Sequence, residues 1–250
     1  MVDAALRRLG EFITLSASEI EAFNRTRAET RNVEARSPIR SQGDPVREIF
    51  LLAEGWVISA VDARDGSRQI TKIHLPGDLL GVPSVALTHA AETLSALTPT
   101  VVERIPLKAF GSLFQAAPRL AASIFLSSQK ERVLLMDRLT SIGRTTADGR
   151  VSAFLLLMLD RLQRIDPEVT DTFELPLTQS HLAEVLGLTA VHINRTLRSM
   201  DEAGIIERRG CRFRLADLEA LRERAAVLPR SFVREPEWLL QLGEAGELKA

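Results

Sequence analysis

The chain of 250 residues is poor in cysteine, tyrosine and net charge: it has one cysteine, no tyrosine, and 32 basic against 33 acidic residues. Cys211 stands alone, which excludes an internal disulfide, a zinc site of cysteines and a cysteine-held iron–sulfur cluster. The longest apolar run, Phe154 to Leu159, is far shorter than the roughly 20 residues that cross a bilayer. The first residues also lack the apolar core of a signal peptide. We therefore expect a soluble cytoplasmic protein with no membrane partner.

The sequence also lacks the common signatures of an enzyme. It has no phosphate-cradling GxxxxGKS/T loop, no HExxH and no serine or cysteine in a recognisable nucleophile setting. The four histidines, His74, His89, His181 and His192, are not spaced as metal ligands. The hydrophobic content of 45% supports a packed core, and the length suggests one large domain or two of about 100–200 residues. We expect no catalysis, no metal and no cofactor.

The N-terminal half predicts a helix followed by a β domain. Residues 4–30 favour a helix, within which Ser16 and Glu19 form a capping-box pattern. Short apolar stretches then follow from about 33 to 106, and Asp65-Gly66 between 56–61 and 68–74 is a strong hairpin signal. This texture predicts a barrel or jelly-roll-like β-roll. The punctuating glycines lie 12, 11 and 11 residues apart: Gly43, Gly55, Gly66 and Gly77.

A long helix is predicted from Pro118 to Ile142, where no proline or glycine interrupts the chain. A row of residues recurs on it in steps of three and four, as in a two-stranded coiled coil. We predict that this row forms a homodimer interface, although its serine and arginine weaken the repeat. The alternative is a helix that packs only on its own domain. The interface residues predicted are Phe125, Ser128, Arg132, Leu135, Leu139 and Ile142.

A helix-turn-helix is predicted after a hinge at 143–149 and a largely helical segment that begins near Arg150. Thr178 caps its first helix, Ala183 supplies the small residue where two helices cross, and Gly187 supplies the turn. Thr189 then caps a second helix. The hairpin that follows, over 204–214, predicts a wing, and residues 189–214 carry six arginines against three acids.

The second helix of this motif predicts base contacts in a DNA major groove. Arg195 is suited to guanine, Asn194 to adenine or phosphate, and Ala190 and Val191 to thymine methyl groups. Polar residues around them suit phosphate contacts, which fix register on the duplex. The alternative is a structural helix-turn-helix in a module whose β-roll binds a ligand or protein. The DNA-binding residues predicted are Thr178, Gln179, Ser180, Thr189, Ala190, Val191, His192, Asn194, Arg195, Arg198, Arg209 and Arg212.

The order of these parts resembles the Crp/Fnr family of bacterial transcription regulators, over about residues 10–225. The resemblance is most specific in 186–195 and in 75–78. It implies an α+β chain: a β-roll sensor domain at 1–117, a dimerisation helix and hinge at 118–145, and a winged helix-turn-helix at 146–225, followed by a tail at 226–250. It also implies a homodimer on a twofold-symmetric promoter site in double-stranded DNA, with RNA polymerase as a further partner if the protein is an activator.

The sensor departs from the family members that bind cyclic nucleotides. They hold the phosphate with an Arg-Ser pair, where this chain has Glu92-Thr93, and residues 77–97 contain no arginine or lysine. Cyclic AMP is therefore not expected, and one cysteine excludes an iron–sulfur sensor. His74 and His89 leave haem as an alternative beside an unidentified ligand or none. Val191 replaces a glutamate that reads cytosine in better-known members, which predicts a different operator. The candidate effector pocket comprises Gly77, Asp78, Leu79, Glu92, Thr93, Leu135 and Met136.

Overall fold

The computed structural model describes residues 4–225, 230–240 and 242. These residues divide into two compact units. The first unit gathers the described residues of 1–57, 74–133 and 230–250, and the second gathers 58–73 with the described residues of 134–229. Among the described residues, no single helix is long and apolar enough to cross a membrane, and one strongly bent pair, Leu107–Ala116 with Pro118–Arg144, passes that test on length and composition alone.

The N-terminal segment forms two short helices, α1 (Ala4–Leu9) and α2 (Ala17–Asn24), so the prediction of one helix over 4–30 is wrong. The capping box at Ser16 is confirmed, since the Ser16 N–H donates to Glu19 Oε2 at 2.8 Å and the Glu19 N–H donates to Ser16 Oγ at 3.3 Å. That same cap explains the break. An N-cap residue adopts an extended backbone, here φ −78° and ψ 161°, which a continuous helix does not allow.

Eight short strands confirm the predicted β domain. They build two four-stranded sheets, ordered β1-β8-β3-β6 and β2-β7-β4-β5. The tip at Asp65-Gly66 is a hairpin between β4 and β5, as predicted, and the glycines at 43, 55, 66 and 77 all have positive φ. In chain order the strands are β1 (Thr30–Val33), β2 (Pro38–Arg40), β3 (Glu48–Glu54), β4 (Val57–Asp62), β5 (Arg68–His74), β6 (Leu79–Leu80), β7 (Thr93–Ala96) and β8 (Thr100–Pro106).

Strand β3 separates two hydrophobic cores of the first unit, because successive side chains of a strand point to opposite faces. Ile49 and Leu51 join a cluster with α1, α2 and the two helices that follow the β domain, α3 (Leu107–Ala116) and α4 (Pro118–Arg144). Phe50 and Leu52 enter a second cluster inside the β-roll. The members of that inner cluster are Val33, Ile39, Phe50, Leu52, Val57, Leu80, Leu94, Ala96 and Val102.

The hinge predicted at 143–149 is wrong in its extent. Helix α4 continues through Gly143 to Arg144, and α5 (Ala147–Ile165) begins three residues later, which leaves only Thr145 and Thr146 outside the two helices. Thr146 caps α5 by accepting a hydrogen bond from the Gly149 N–H at 3.2 Å. The chain therefore changes direction at a cap and not over a flexible loop.

The C-terminal part forms a winged helix-turn-helix in the second unit. After α5 come β9 (Thr172–Glu174), α6 (Gln179–Leu186), α7 (Ala190–Glu202), β10 (Ile206–Arg209), β11 (Arg212–Leu215) and α8 (Leu218–Ala225). The wing hairpin of β10 and β11 is confirmed, and it pairs with β9 into an antiparallel sheet ordered β10-β11-β9. The strand β9 was not predicted from the sequence.

The described part of the tail returns to the first unit. Phe232 packs edge-to-face on Phe12 with ring centroids 6.5 Å apart, and the Lys130 ammonium lies 4.9 Å from the Phe232 centroid. Glu235 accepts a hydrogen bond from the Thr14 N–H at 2.9 Å. A short helix, α9 (Glu237–Leu240), follows.

Candidate nucleic-acid interface

Helix α6 is positioned by a capping box and a left-handed turn. The His181 N–H donates to Thr178 Oγ1 at 3.1 Å, and the Thr178 N–H donates to His181 Nδ1 at 3.3 Å. At its other end Gly187 adopts φ 62° and ψ 43°, a conformation that costs glycine little. Ala183, which is buried, accepts the Leu188 N–H at 3.1 Å across that turn. The predicted cap at Thr178 and the predicted turn at Gly187 are thus confirmed.

Helix α7 has one buried face and one exposed face. Thr189 caps its start, accepting the His192 N–H at 3.2 Å. Ile193, Leu197 and Met200 are at most 2% exposed and anchor the helix in the domain core. The opposite face is open to solvent and carries the residues predicted to meet a groove: Ala190, Val191, His192, Asn194, Arg195 and Arg198.

The polar residues of the exposed face differ in how far they are already engaged. Asn194 Nδ2 donates to Gln179 Oε1 at 3.2 Å, which ties the second helix of the motif to the first. Arg198 donates to Glu202 at 2.7 Å, and this hydrogen bond raises the pKa of Arg198 above its ordinary value. Within the part of the chain that the structure describes, Arg195 makes no such bond. Its guanidinium is therefore available to a ligand without breaking an internal contact.

The wing presents a second basic surface. Arg209 and Arg212 are directly opposite each other across the hairpin, on either side of Gly210, and both are exposed. Arg214 is instead bonded to Asp171 at 3.1 Å and to Glu207 at 2.8 Å, and these bonds raise its pKa. The surplus of arginines seen in the sequence is therefore reduced to a few exposed guanidiniums. Among the described residues these lie on α7 and at the wing tip.

A buried stack of aromatic rings supports the wing. Phe213 of β11 lies against Phe173 of β9 with ring centroids 6.4 Å apart and planes inclined by 15°. Both rings are buried. Because the two residues are directly opposite each other on adjacent strands, the stack ties the hairpin, and with it the exposed arginines at its tip, to β9.

The five residues of the predicted effector pocket that lie in the β domain are buried or engaged in internal contacts. Asp78 is buried and forms an ion pair with Arg8 at 3.1 Å, with His74 Nδ1 3.7 Å away. Gly77 leaves room for the backbone of α1, because a Cβ there would lie 2.4 Å from the Ala4 carbonyl oxygen. Thr93 Oγ1 accepts the Gln42 N–H at 3.0 Å. Glu92 is buried and Leu79 is half-buried against the first hydrophobic cluster.

The other two pocket residues are exposed: Leu135 is 50% exposed and Met136 is 57% exposed. They lie on α4 with two further exposed hydrophobic side chains, Phe125 and Leu139. Of the remaining predicted interface residues, Arg132 is exposed, while Ser128 and Ile142 are half-buried. Ile142 lies near the turn of the helix-turn-helix, since its side-chain atoms are 3.8 Å from where a Cβ on Gly187 would be.

Sequence reasoning missed one charged residue of the sensor domain, Arg40. It ends β2 and is buried beside Gly81. The composition of residues 77–97 does not reveal it, because only the antiparallel pairing of β2 with β7 brings position 40 opposite Leu94. The one feature of the sequence that could have identified Arg40 is the position of an arginine at the end of a short apolar strand.

Comparison with known proteins agrees with this architecture. Residues 30–117 match the model of the cyclic nucleotide-binding domain, and residues 149–224 match that of the Crp-like helix-turn-helix domain. The nitrogen fixation regulation protein FixK of Bradyrhizobium diazoefficiens is 28% identical over 205 residues, 82% of this chain and 84% of that protein. The fumarate and nitrate reduction regulatory protein of Vibrio cholerae is 24% identical over 229 residues, 92% and 91% of the two chains.

The solved structure of FixK2 from Bradyrhizobium japonicum has the same fold. It superimposes with a TM-score of 0.72 at 24% identity, and the match covers 81% of this chain and 99% of that one. The β-roll, the long helix and the winged helix-turn-helix define a two-domain DNA-binding regulator. The chain belongs to the Crp/Fnr family of transcription regulators. Because the members of this family are not enzymes, the prediction that the chain has no catalytic activity is confirmed.

Proposed function

We propose that this regulator acts as a homodimer that reads a twofold-symmetric promoter site through α7, without cyclic AMP. The observation that carries the proposal is the exposed face of α7. It combines apolar side chains and an uncommitted arginine on a helix whose other face is fixed in the domain core. A helix of this kind fits the major groove, which is wide enough to admit it. In this account the protein acts at the chromosome, in the bacterial cytoplasm.

Arg195 reads guanine in this proposal, by donating two hydrogen bonds to O6 and N7. Asn194, already oriented by Gln179, contacts adenine or a phosphate. Val191 is 75% exposed, and such an apolar surface packs well on a thymine methyl group. Since valine accepts no hydrogen bond, the operator differs at this base pair from sites read by family members with glutamate there.

Phosphate contacts surround this reading face and set the register on the duplex. The exposed backbone at the start of α6 supplies some of them, because a helix N-terminus attracts anions. The wing tip supplies others through its paired arginines. The residues assigned to phosphates are Thr178, Gln179, Ser180, Thr189, His192, Arg198, Arg209 and Arg212.

A matched pair of fourfold variants tests the DNA surface. Replacement of Arg195, Arg198, Arg209 and Arg212 by alanine should abolish binding to duplex DNA, measured by fluorescence anisotropy at stated salt. The control replaces four exposed arginines elsewhere, Arg25, Arg64, Arg164 and Arg222, and removes the same charge. Control protein should bind within about twofold of wild type. Equal losses in the two variants would show that net charge matters and that this surface does not.

The exposed hydrophobic side chains of α4 support the dimer. Phe125, Leu135, Met136 and Leu139 are between 50% and 73% exposed on one helix, and a group of exposed apolar side chains usually marks an interaction site. A second copy of the same helix is the partner that a three-and-four repeat favours. The half-buried Ser128 and Ile142 and the exposed Arg132 flank this seam.

Placing two charges in this seam should separate the protomers. We expect Leu135→Glu with Leu139→Glu to shift the sedimentation mass from twice the chain mass to the chain mass, since each carboxylate would be desolvated beside its symmetry mate. The control makes the same change at two exposed hydrophobic residues off the seam, Leu87 and Phe114. A double seam variant that still sediments as a dimer would refute the assignment.

Cyclic AMP does not fit the charge of the sensor domain. The stretch 77–97 has no lysine or arginine, and the buried Glu92 would repel a phosphate there. Asp78 is already paired with Arg8. We therefore expect millimolar cyclic AMP to leave operator affinity unchanged in an anisotropy titration. If the regulator is an activator, RNA polymerase is the further partner at the promoter.

A further inference from the structure

Arg40 is a buried cation at the end of β2. The residue is only 7% exposed, and Nη1 donates to the Glu48 carbonyl oxygen at 3.2 Å. Nε and Nη2 are buried, and neither has a hydrogen-bond acceptor among the described residues. A guanidinium removed from water in this way is costly unless an opposite charge lies nearby. The fold must therefore supply that charge or leave a place for it.

Gly81 makes the space in which this guanidinium lies. A Cβ on Gly81 would be 2.6 Å from Arg40 Nη2 and 2.9 Å from Nη1, closer than side-chain carbon atoms approach such groups. Gly81 also has φ 79°, in the left-handed region that favours glycine. Both the position and the conformation of this residue thus accommodate the buried cation.

Three carboxylates act on Arg40, and only one of them is buried with it. Burial lowers the pKa of Arg40, and the negative charges of Glu92, Asp44 and Glu48 oppose that effect. Asp44 is exposed, and Glu48 is bonded to Arg104 at 2.6 Å. Glu92 is 6% exposed. Its charge is therefore the one that water screens least.

Strand pairing keeps the two buried charges in one region. Arg40 of β2 is opposite Leu94 of β7, and the Gln42 N–H donates to Thr93 Oγ1 at 3.0 Å. Glu92 directly precedes β7, so it is held at the same end of the same pair of strands. Arg40 and Glu92 are 52 residues apart in sequence, and the backbone pairing of β2 with β7 brings them together.

We propose that the Glu92 carboxylate is a permanent internal counter-ion for Arg40, so that the sensor domain is charge-balanced without any anionic effector. The site would accept a small carboxylate or phosphate only when the Glu92 carboxylate is removed. The inference rests on the proposed function only in what it says about regulation. Because Glu92 would already balance the charge of Arg40, a cyclic phosphate would not be required there.

Anion rescue of a Glu92 variant tests the proposal on the full chain. The readout is the thermal midpoint in chloride, acetate and inorganic phosphate buffers of equal ionic strength. Glu92→Ala should melt below wild type in chloride and rise towards it, saturably, as acetate or phosphate replaces chloride. Wild type should show no such response. The double variant Arg40→Met with Glu92→Ala should not respond either, and it should be more stable than Arg40→Met alone because no buried charge is left unpaired.

Several results would overturn the proposal. One is a saturable anion response of wild type that Arg40→Met removes, since the site would then be a natural anion site. Another is a Glu92→Ala protein as stable as wild type and insensitive to anions. If Glu92→Ala does not fold, Glu92→Gln keeps the shape and loses only the charge, and it should melt below wild type. A double variant no more stable than Arg40→Met would also contradict the pairing. No measurement involves DNA, so failure here leaves the proposed function to its own tests.

Discussion

Replacing Gly187 by alanine measures how much a glycine in the turn of the helix-turn-helix contributes to the stability of the protein. The residue has φ 62° and ψ 43°, a left-handed conformation that costs an L-residue about 1 kcal/mol more than glycine. A Cβ there would lie 3.8 Å from the nearest atoms, those of Ile142, which is an ordinary contact. We therefore expect Gly187→Ala to cost backbone strain alone, about 1 kcal/mol, or about 2–4 °C in the thermal midpoint of a chain this long.

Two other glycines of the same unit give the comparison. Gly204 has φ 70° with nothing within 4 Å of its Cβ position, so Gly204→Ala should cost about the same as Gly187→Ala. Gly149 lies in a helix without positive φ, but its Cβ would be 2.9 Å from the Arg224 carbonyl oxygen, so Gly149→Ala must displace backbone. Thermal scanning of the three proteins checks this ranking, in which Gly149→Ala loses the most stability and the other two variants lose about the same amount. A loss at Gly187 above about 3 kcal/mol, or none at all, would refute strain as its cause.

Two further predictions concern DNA affinity and the tail. Arg195→Ala should cost about 1–3 kcal/mol of operator affinity and relax base preference. Arg198→Ala should instead weaken binding to all sequences alike and reduce by about 1 the slope of log affinity against log salt concentration. Competition titrations with operator and scrambled duplexes distinguish the two variants, and unchanged selectivity in both would contradict base reading. The Thr14 hydrogen bonds hold the pKa of Glu235 below its ordinary value, so its stabilising effect is present near neutral pH and is lost as pH falls through the lowered pKa. Thermal midpoints of wild type and Glu235→Gln should therefore converge as the pH falls through this lowered pKa, and a constant difference would contradict the linkage.

Local signals made the helix-turn-helix predictable from the sequence. Thr178, Gly187 and Thr189 each act within one helical turn, through a cap or a left-handed residue. The inward row of α7 follows from the period of a helix, and the wing follows from one glycine between short strands. Such features depend on neighbours within four residues, so a single sequence contains them.

Features that depend on distant pairing were missed or misplaced. Strand β9 has three residues and exists because it pairs with β11, whose partner positions lie about 40 residues later. Arg40 enters the sensor site only through the pairing of β2 with β7. The overlong hinge had a different cause: Gly143 remains helical because one exposed glycine costs a helix only about 1 kcal/mol.

The most direct test of the account is a selection of bound sequences from random duplex DNA, with purified wild-type protein, no added effector and stated salt. A dimer that reads DNA with two α7 helices should enrich one twofold-symmetric site whose half-sites are about 10 bp apart. Arg195→Ala protein, selected in parallel, should lose the guanine preference at one position of each half-site. Failure of wild type to enrich any site, or enrichment of a site without twofold symmetry, would contradict the proposal that a homodimer reads DNA through α7.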